Sequence, residues 1–416
     1  MLDIELRHLR NRQEVMRFFD GYTIERMEEL YTEKLKKPLV KSYLLESSDP
    51  ADQQNSIEKL RTVFTRRGVD LAPLDDSLFL LSDRQEGDIG FLEVLRPRIL
   101  AVYSHLKSEN LNRWVRRIVL QGPELDHVWL SGLTFSVLWE LVTQLSKPHR
   151  FTRLVFAHDS IFEVDSPETG AEDEDEDSGG EEDVKEIVER RATRFQMVDR
   201  IGVIQERLTK LQQLYSPLYA ISQLRFPSPA GQGGHDFYDN GRVTNRSGSF
   251  RDHRSHLLFV VRIYEHLLRS TEQSAWYSIQ ESVSVPGQFR KIVGAPVTIR
   301  FRERLTQAVF DHWITATFER KRNRFRLWGH PIRLGPTKIQ VYGVDRHLWQ
   351  PLFLELTASG CTAIIPNGTC GNTVHRLVTN VQRYLDPGAV AHIGDRLYTE
   401  MVKESAGSVR YEPDPD

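Results

Sequence analysis

Residues 352–384, LFLELTASGCTAIIPNGTCGNTVHRLVTNVQRY, give the clearest local pattern in this chain. Large apolar residues alternate in the first part, a short Ala-Ser-Gly turn follows, and a second apolar run ends at Pro366. Alternation bounded by turn residues predicts two strands. After a polar loop that contains glycine, apolar residues recur at helical spacing from Val374 to Val381, so the stretch is expected to end in a helix.

The loop that joins the second strand to this helix is a candidate anion-binding turn. A glycine loop at the start of a helix exposes unpaired N–H groups at the positive end of the helix dipole, which attracts phosphate or carboxylate. Asn372 or Thr373 is expected to cap the helix, and Arg376 adds a fork of donors. The residues assigned to this anion site are Gly368, Thr369, Gly371, Asn372 and Arg376.

Cys370 lies inside the same loop and allows an enzymatic alternative. Its separation from Arg376 by five residues is the spacing of the cysteine-phosphatase loop, in which a thiolate is the nucleophile. The sequence lacks that loop's preceding histidine, its later glycine and the hydroxyl residue after the arginine. His347 or His375 is the candidate base for such a hydrolase. The structural alternative is a capped helix with Cys370 as a small buried apolar residue.

Composition limits the class of protein. A chain of 416 residues is expected to form about two or three domains, and 39% hydrophobic with 27% charged residues is typical of a globular protein. No apolar run approaches the roughly 20 residues of a membrane helix, and the start resembles no secretory signal. Two cysteines predict neither a disulfide framework nor a thiolate zinc site and favour a reducing, cytoplasmic setting.

The net charge of −3 hides two regions of opposite sign. Residues 165–183 contain eleven acidic residues and no basic one, whereas residues 191–350 contain 25 Lys and Arg against 12 Asp and Glu. A run of acidic residues repels itself and buries little apolar area, so residues 165–190 are expected to form a disordered linker. An acidic tail that competes with polyanions for the basic half is the functional alternative.

The elements on either side of this linker predict two domains. Before it, helices over 11–35, 53–67, 110–120 and 133–145 alternate with strands over 39–45, 77–81, 99–103 and 151–164. This pattern favours an α/β domain over 1–164 that acts as a scaffold or binds a protein partner. After it, a helix over 184–215, a loop over 217–249, a helix from 253 and a hairpin that turns at Gly335-Pro336 favour an α+β domain over 191–416.

Two segments of the C-terminal domain are rich in arginine. The first is the long loop, and the second interleaves charge with aromatic rings between Phe318 and Trp328. Phosphates need Lys and Arg, and unstacked bases need rings or guanidinium planes to lie on. The residues assigned to nucleic-acid binding are Arg242, Arg246, Arg251, Arg254, Arg320, Lys321, Arg322, Arg324 and Arg326.

Metal chemistry and cofactors have little sequence support. His253 and His256 lie three positions apart, but the surrounding arginines oppose a cation, so no metal is assigned. Asp311, Glu319 and Lys321 resemble a metal-dependent nuclease centre only loosely. No glycine fingerprint for a dinucleotide and no Walker A sequence is present, so no cofactor is predicted.

The sequence therefore predicts a protein that binds nucleic acid or another polyanion through its basic half, as a subunit of a larger complex or alone. The alternatives are an enzyme, either a Cys370 hydrolase or a nuclease, and a regulatory protein that binds an acidic protein partner. The first hypothesis requires that the arginines and the turn at Cys370 share one concave face.

Overall fold

The computed structural model describes residues 6–31, 37–47, 56–159, 161, 193–229, 231–281, 290–319 and 324–413. The acidic stretch, expected as a disordered linker, lies outside the described residues. In chain order, the α-helices are α1 (Arg12–Tyr31), α2 (Ser56–Arg66), α3 (Ser108–Leu120), α4 (Gly132–Leu145), α5 (Ile201–Leu214), α6 (Phe250–Ala275), α7 (Gln307–Ile314), α8 (Asn372–Tyr384) and α9 (Tyr398–Gly407). None of the described helices is both long and apolar enough to cross a bilayer.

The first of two sheets contains strands from both sides of the acidic stretch. Its strands are β1 (Lys41–Ser47), β2 (Val69–Pro73), β3 (Leu78–Asp83), β4 (Gly87–Arg96), β5 (Ile99–Ser104), β6 (Leu125–His127), β7 (Phe151–His158), β8 (Thr193–Arg200), β9 (Ile221–Pro227), β10 (Gly234–Tyr238) and β11 (Arg242–Asn245). They lie in the order β2-β3-β4-β5-β1-β11-β10-β9-β7-β8, and β6 pairs with β1. Every described pair in this sheet is antiparallel.

The second sheet lies entirely in the C-terminal part of the chain. Its strands are β12 (Trp276–Glu281), β13 (Arg290–Val293), β14 (Val297–Arg300), β15 (Leu327–Gly335), β16 (Lys338–Asp345), β17 (Gln350–Thr357), β18 (Gly360–Pro366), β19 (Val390–Ile393) and β20 (Arg396–Leu397). They follow the order β15-β16-β17-β18-β14-β19-β20, so β15 is an edge strand. β12 pairs with β13 and, in parallel, with β18.

One apolar core connects the two sheets. It runs from Leu6 through the inner faces of both sheets to Ala406, and α6 passes through it. Ser249 caps α6 by accepting the N–H of Asp252 at 3.0 Å, as a serine at this position favours. A second core lies between α2, α3 and the opposite face of the first sheet, where Trp114 is fully buried.

The prediction of an α/β and an α+β domain is confirmed at a coarse level, since helices and strands are mixed along the chain and the strands form two sheet regions. The residues quoted first also form the predicted elements, namely β17, β18 and α8. The predicted boundary over 165–190 does not separate the two sheets, because β8 to β11 follow that stretch and complete the first sheet.

Two local predictions after the acidic stretch are wrong. The expected helix over 184–215 begins only at Ile201, since residues 193–200 pair with β7 as strand β8. The expected loop over 217–249 contains β9, β10 and β11. Long-range pairing outweighed the helical spacing of apolar residues in the first place and the local glycine and proline signals in the second.

Candidate functional site

The turn expected to bind an anion already holds a carboxylate of this chain. Glu272, on α6, accepts the backbone N–H of Gly371 at 3.0 Å. A side chain at position 371 would come within 2.8 Å of Cγ of Glu272, so the close approach of α6 requires glycine. Gly368 is exposed at a φ of +92°, whereas Thr369 is buried. The carboxylate predicted for this helix terminus therefore comes from inside the fold.

Asn372 and Thr373 do not cap the helix as predicted. The N-cap is Gly371, and it makes no side-chain capping bond. The Asn372 amide donates to the backbone oxygen of His127 at 2.8 Å, and its oxygen accepts the Tyr264 hydroxyl at 2.6 Å. Thr373 donates its hydroxyl to Asp345. Both side chains connect α8 to distant elements.

Cys370 is buried, with only 2% of its surface exposed. Its thiol donates to Glu46 at 3.0 Å, and Sγ accepts Nη2 of Arg98 at 3.0 Å. Burial and the neighbouring Glu46 carboxylate raise the pKa of the Cys370 thiol well above its ordinary value, despite Arg98. The thiolate that a nucleophile needs is therefore disfavoured, so these surroundings give no support to the hydrolase.

The two candidate bases make their hydrogen bonds elsewhere. His375 Nδ1 bonds to the hydroxyl of Tyr398 at 2.7 Å, and burial lowers the pKa of His375 to about 3. His347 Nδ1 bonds to the backbone oxygen of Pro123 at 2.8 Å, and burial lowers the pKa of His347 to about 4. These partners fix both rings inside the core.

Arg376 lies at the centre of a buried ion network. Its guanidinium is fully buried, donates to Asp126 and, at 2.5 Å, to Asp345, and Nε donates to the backbone oxygen of Phe325 at 2.9 Å. Arg326 also pairs with Asp126, at 3.1 Å. Burial alone would raise the pKa of Asp126, but Arg326 and Arg376 outweigh it and lower that pKa below the usual range. Arg376 and Arg326 therefore connect the two sheets, which corrects their predicted role as anion ligands.

Three more of the predicted arginines contact residues of the first sheet. Arg246 donates to Asp236 at 2.8 Å, and Arg254 donates to Glu93 at 2.7 Å. Arg242 is buried, and its guanidinium lies 3.9 Å from the centre of the Tyr238 ring. Arg242 and Arg254 are buried, so they offer no exposed charge to a concave face shared with the turn at Cys370.

The structure describes only two of the five remaining basic positions. Arg251 is exposed on the first turn of α6, and Arg324 is half-buried before β15. Arg320, Lys321 and Arg322 lie outside the described residues, so their assignment stays a prediction.

The residues considered for metal chemistry have other partners. His253 and His256 form a buried cluster with His235, whose Nδ1 lies 2.7 Å from Nδ1 of His256. Asp311 pairs with Arg333 at 2.6 Å. Across the described part of the chain, no group of three or more His, Cys, Asp or Glu side chains is arranged to hold a cation.

The outer face of the second sheet carries exposed aromatic rings. The register places Trp328 beside Val344, His330 beside Tyr342, and Tyr342 beside Phe353. Trp328 and Tyr342 are each 61% exposed, Phe353 is 47% exposed, and the rings of Tyr342 and Phe353 are 4.8 Å apart. We call the surface of Trp328, His330, Tyr342 and Phe353 the aromatic face.

Polar and basic groups border the aromatic face. The next row across the sheet contains the exposed Ile332 together with Gln340, Glu355 and Thr362. Beyond it, Lys338 on β16 and Arg300 on β14 are exposed on the same side of the sheet. The face thus combines flat rings, hydrogen-bonding groups and positive charge.

A strained turn presents another ring near this face. Leu348 and Trp349, between β16 and β17, have positive φ values of +68° and +56°. Such values are uncommon for residues with bulky side chains and point to strain held by the surrounding structure. Trp349 is 56% exposed, so the strained backbone presents an indole ring to solvent.

A cleft of about 540 Å³ lies alongside edge strand β15. Its lining includes Trp328 and His330 of the aromatic face, together with Ile314, Phe318, Arg333 and Ile339. Phe318 belongs to a single π-helical turn, Thr315–Glu319, that follows α7. π-helical turns of this kind are frequent at functional sites.

Sequence reasoning recognised only part of this surface. Trp328 belonged to the segment in which charges and rings alternate, but His330, Tyr342 and Phe353 were not singled out. Their signal is that β15, β16 and β17 carry large apolar residues at both odd and even positions. A sheet with only one face in the core needs large apolar residues at either the odd or the even positions, but not at both.

The fold defines a protein of mixed helices and antiparallel sheets whose predicted enzymatic residues lie in the core. A family model described as "MJECL33-like protein" matches residues 5–397, so the chain belongs to the MJECL33-like family. The chain is also similar to "Uncharacterized protein MJECL33" of Methanocaldococcus jannaschii, with 22% identity over 385 residues that cover 86% of this chain and 88% of the relative. No solved structure matches the chain.

Proposed function

We propose that this protein binds single-stranded nucleic acid on the aromatic face. The supporting observation is that Trp328, Tyr342 and Phe353 lie on three adjacent strands and expose about half or more of their surfaces. A soluble protein rarely exposes contiguous rings without a partner. Stacking of one base on such a ring contributes about 1–3 kcal/mol and tolerates any base.

The surroundings of the rings favour a nucleic acid over an apolar ligand. Thr362 and the Gln340 amide offer hydrogen-bonding groups to base edges, and Arg300 offers positive charge to phosphates. Lys338 pairs with Glu355 at 2.9 Å, and the Gln340 amide also donates to Glu355 at 3.3 Å. The basic run Arg320, Lys321 and Arg322 is separated from β15 by four residues in the sequence and is expected to add to that charge.

The rings favour single strands over a duplex. Bases in a duplex are already stacked and paired, so a flat row of rings cannot contact their planes. Unpaired bases can lie on the rings while the phosphates follow the basic edge.

The direct test is fluorescence anisotropy on the full-length protein. Labelled single strands of DNA and RNA, about 12 nucleotides long, are titrated at about 50 and 200 mM salt, with a duplex of the same sequence as comparison. We expect single strands to bind more tightly than the duplex and binding to weaken at the higher salt. If neither single strand changes its anisotropy at the lower salt, the proposal fails.

A further inference from the structure

The cleft beside β15 continues the aromatic face around the edge of the sheet. It shares Trp328 and His330 with that face and extends to Phe318 on the π-helical turn. Its volume of about 540 Å³ falls within the roughly 300–1,000 Å³ of small-molecule sites. A strand bound on the face would therefore pass beside a cavity of ligand size.

The lining suits a planar, uncharged ring. Ile314, Phe318 and Ile339 are almost fully buried and provide an apolar floor. The indole of Trp328 and the imidazole of His330 line the cleft where it meets the face. Arg333 also lines it, and its guanidinium is held by Asp311 at 2.6 Å and by the backbone oxygen of Pro336 at 2.6 Å. An apolar floor accepts a base but disfavours a phosphate, because desolvating that charge is costly.

Hydrogen-bonding groups are available beside this floor. β15 is an edge strand, so its backbone groups on the side away from β16 have no neighbouring strand among the described residues. These backbone groups can bond the polar edge of a ligand that lies in the cleft.

We propose that the cleft captures one unstacked base of the strand bound on the aromatic face. This inference rests on the proposed function and adds to it a single-base pocket, with Phe318 as its floor and Trp328 as its wall. The base leaves the stack on the face, turns over the edge of β15 and lies against Phe318. The polar edge of the base faces the backbone of β15.

Photocross-linking tests this pocket directly. Single strands that carry 5-iodouracil in place of thymine or uracil are bound to the full-length protein and irradiated, and the cross-linked peptides are identified by mass spectrometry. Phe318 is 4% exposed, so a cross-link to it requires a base inside the cleft. We expect cross-links at Phe318 as well as at the exposed rings of the face.

A pair of variants distinguishes the loss of a ring in the pocket from a general loss of fold stability. Phe318→Leu keeps an apolar floor but removes the ring, and it is expected to weaken single-strand binding by roughly fivefold or more. Phe310→Leu is the matched control, because Phe310 is equally buried on the preceding helix but does not line the cleft. It should leave the affinity unchanged even where it lowers the melting temperature.

The outcomes distinguish this inference from the proposed function. If strands bind and cross-link to Tyr342 and Phe353 but not to Phe318, and if Phe318→Leu binds like Phe310→Leu, the pocket is overturned and the face remains. If single strands do not bind at all, both proposals fall.

Discussion

The Glu272 carboxylate and the Gly371 backbone N–H are joined by a 3.0 Å hydrogen bond at the first turn of α8. The same carboxylate accepts Nη1 of Arg98 at 2.8 Å. A helix N-terminus attracts negative charge because its first N–H groups have no partner within the helix. Here α6 supplies that charge, so the helix terminus takes part in the packing of α6 against α8.

Glu272→Ala is therefore expected to destabilise the fold. It leaves the Gly371 N–H without its partner and removes one of the two carboxylates on Arg98, a loss of about 1–3 kcal/mol. Glu265→Ala is the control on the same helix, since Glu265 pairs with the exposed Arg269 and, at 3.6 Å, with the exposed Arg96, and each such pair contributes about 0.2–1 kcal/mol. Urea unfolding measures the free energy of unfolding of both variants. Equal losses in the two variants would contradict the role given to Glu272.

Arg376→Met should be among the most destabilising single changes in the described chain. Asp126 and Asp345 are both fully buried. Removing their shared guanidinium leaves Asp126 with Arg326 alone and the buried charge of Asp345 uncompensated, at a cost of about 3–5 kcal/mol. Arg396→Met removes an exposed pair with Glu404 and should cost no more than about 1 kcal/mol. Denaturant unfolding compares them, and a loss below about 1 kcal/mol for Arg376→Met would refute the network's importance.

Substitutions of the exposed rings in the aromatic face are expected to weaken binding strongly and to change the stability of the fold little. Tyr342→Ala and Phe353→Ala should each weaken single-strand binding by about 1–3 kcal/mol, or roughly 5- to 150-fold in Kd. Phe151→Ala is a matched control, because Phe151 is 60% exposed on the first sheet, away from the face. Anisotropy titrations measure Kd and thermal melts check the fold. An effect of Phe151→Ala as large as those on the face would rule out a localised site.

Cys370 is expected to resist alkylation in the folded protein. Burial raises the pKa of both thiols, to about 12 for Cys361 and well above its ordinary value for Cys370, and only the thiolate reacts quickly. Iodoacetamide at about pH 8 should modify both cysteines only after unfolding, as mass spectrometry would show. Rapid modification of Cys370 in the native state would restore it as a candidate nucleophile.

The buried histidines predict a loss of stability in acid. Burial lowers the pKa of His256 to about 4 and of His253 to about 3, compared with about 6.5 for a free histidine. Below about pH 6.5 the unfolded state binds more protons than the folded state, so stability falls as the pH drops toward 4. Above about pH 6.5 these histidines are neutral in both states and contribute no pH dependence.

Each such histidine adds about 1.4 kcal/mol per pH unit to the slope. His256→Gln should reduce the slope by about that amount, whatever it does to stability at pH 7. Urea unfolding at several pH values between about 4.5 and 7 measures this slope. An unchanged slope in the His256→Gln variant would contradict a lowered pKa for His256.

The local elements were predictable where one pattern dominates. In β17 and β18, apolar residues alternate between turn residues, and in α8 they recur at helical spacing, so short-range rules suffice. In β8, residues 193–200 pair with β7 in register from His158 to Phe151. The sequence signal for that partner lies more than thirty positions away, on the far side of the acidic stretch.

The role of the arginines could not be predicted from local sequence. An arginine on the surface and one in a buried pair look the same in a composition count. Arg376 pairs with Asp126, 250 positions earlier in the chain, and Arg254 pairs with Glu93, 161 positions earlier. The basic excess of residues 191–350 therefore overstated their exposed charge, because carboxylates from the N-terminal part pair with Arg254 and Arg326.

The pairing of β7 with β8 also determines how the two halves of the chain depend on each other. Strand β7 ends at His158 and β8 begins at Thr193, directly opposite it, so the two strand ends that flank the acid-rich stretch in the sequence lie side by side. A protease cut within that stretch would yield two fragments, each lacking strands that the other supplies to the first sheet. Such fragments would be expected to fold by complementation, as partners rather than as independent domains.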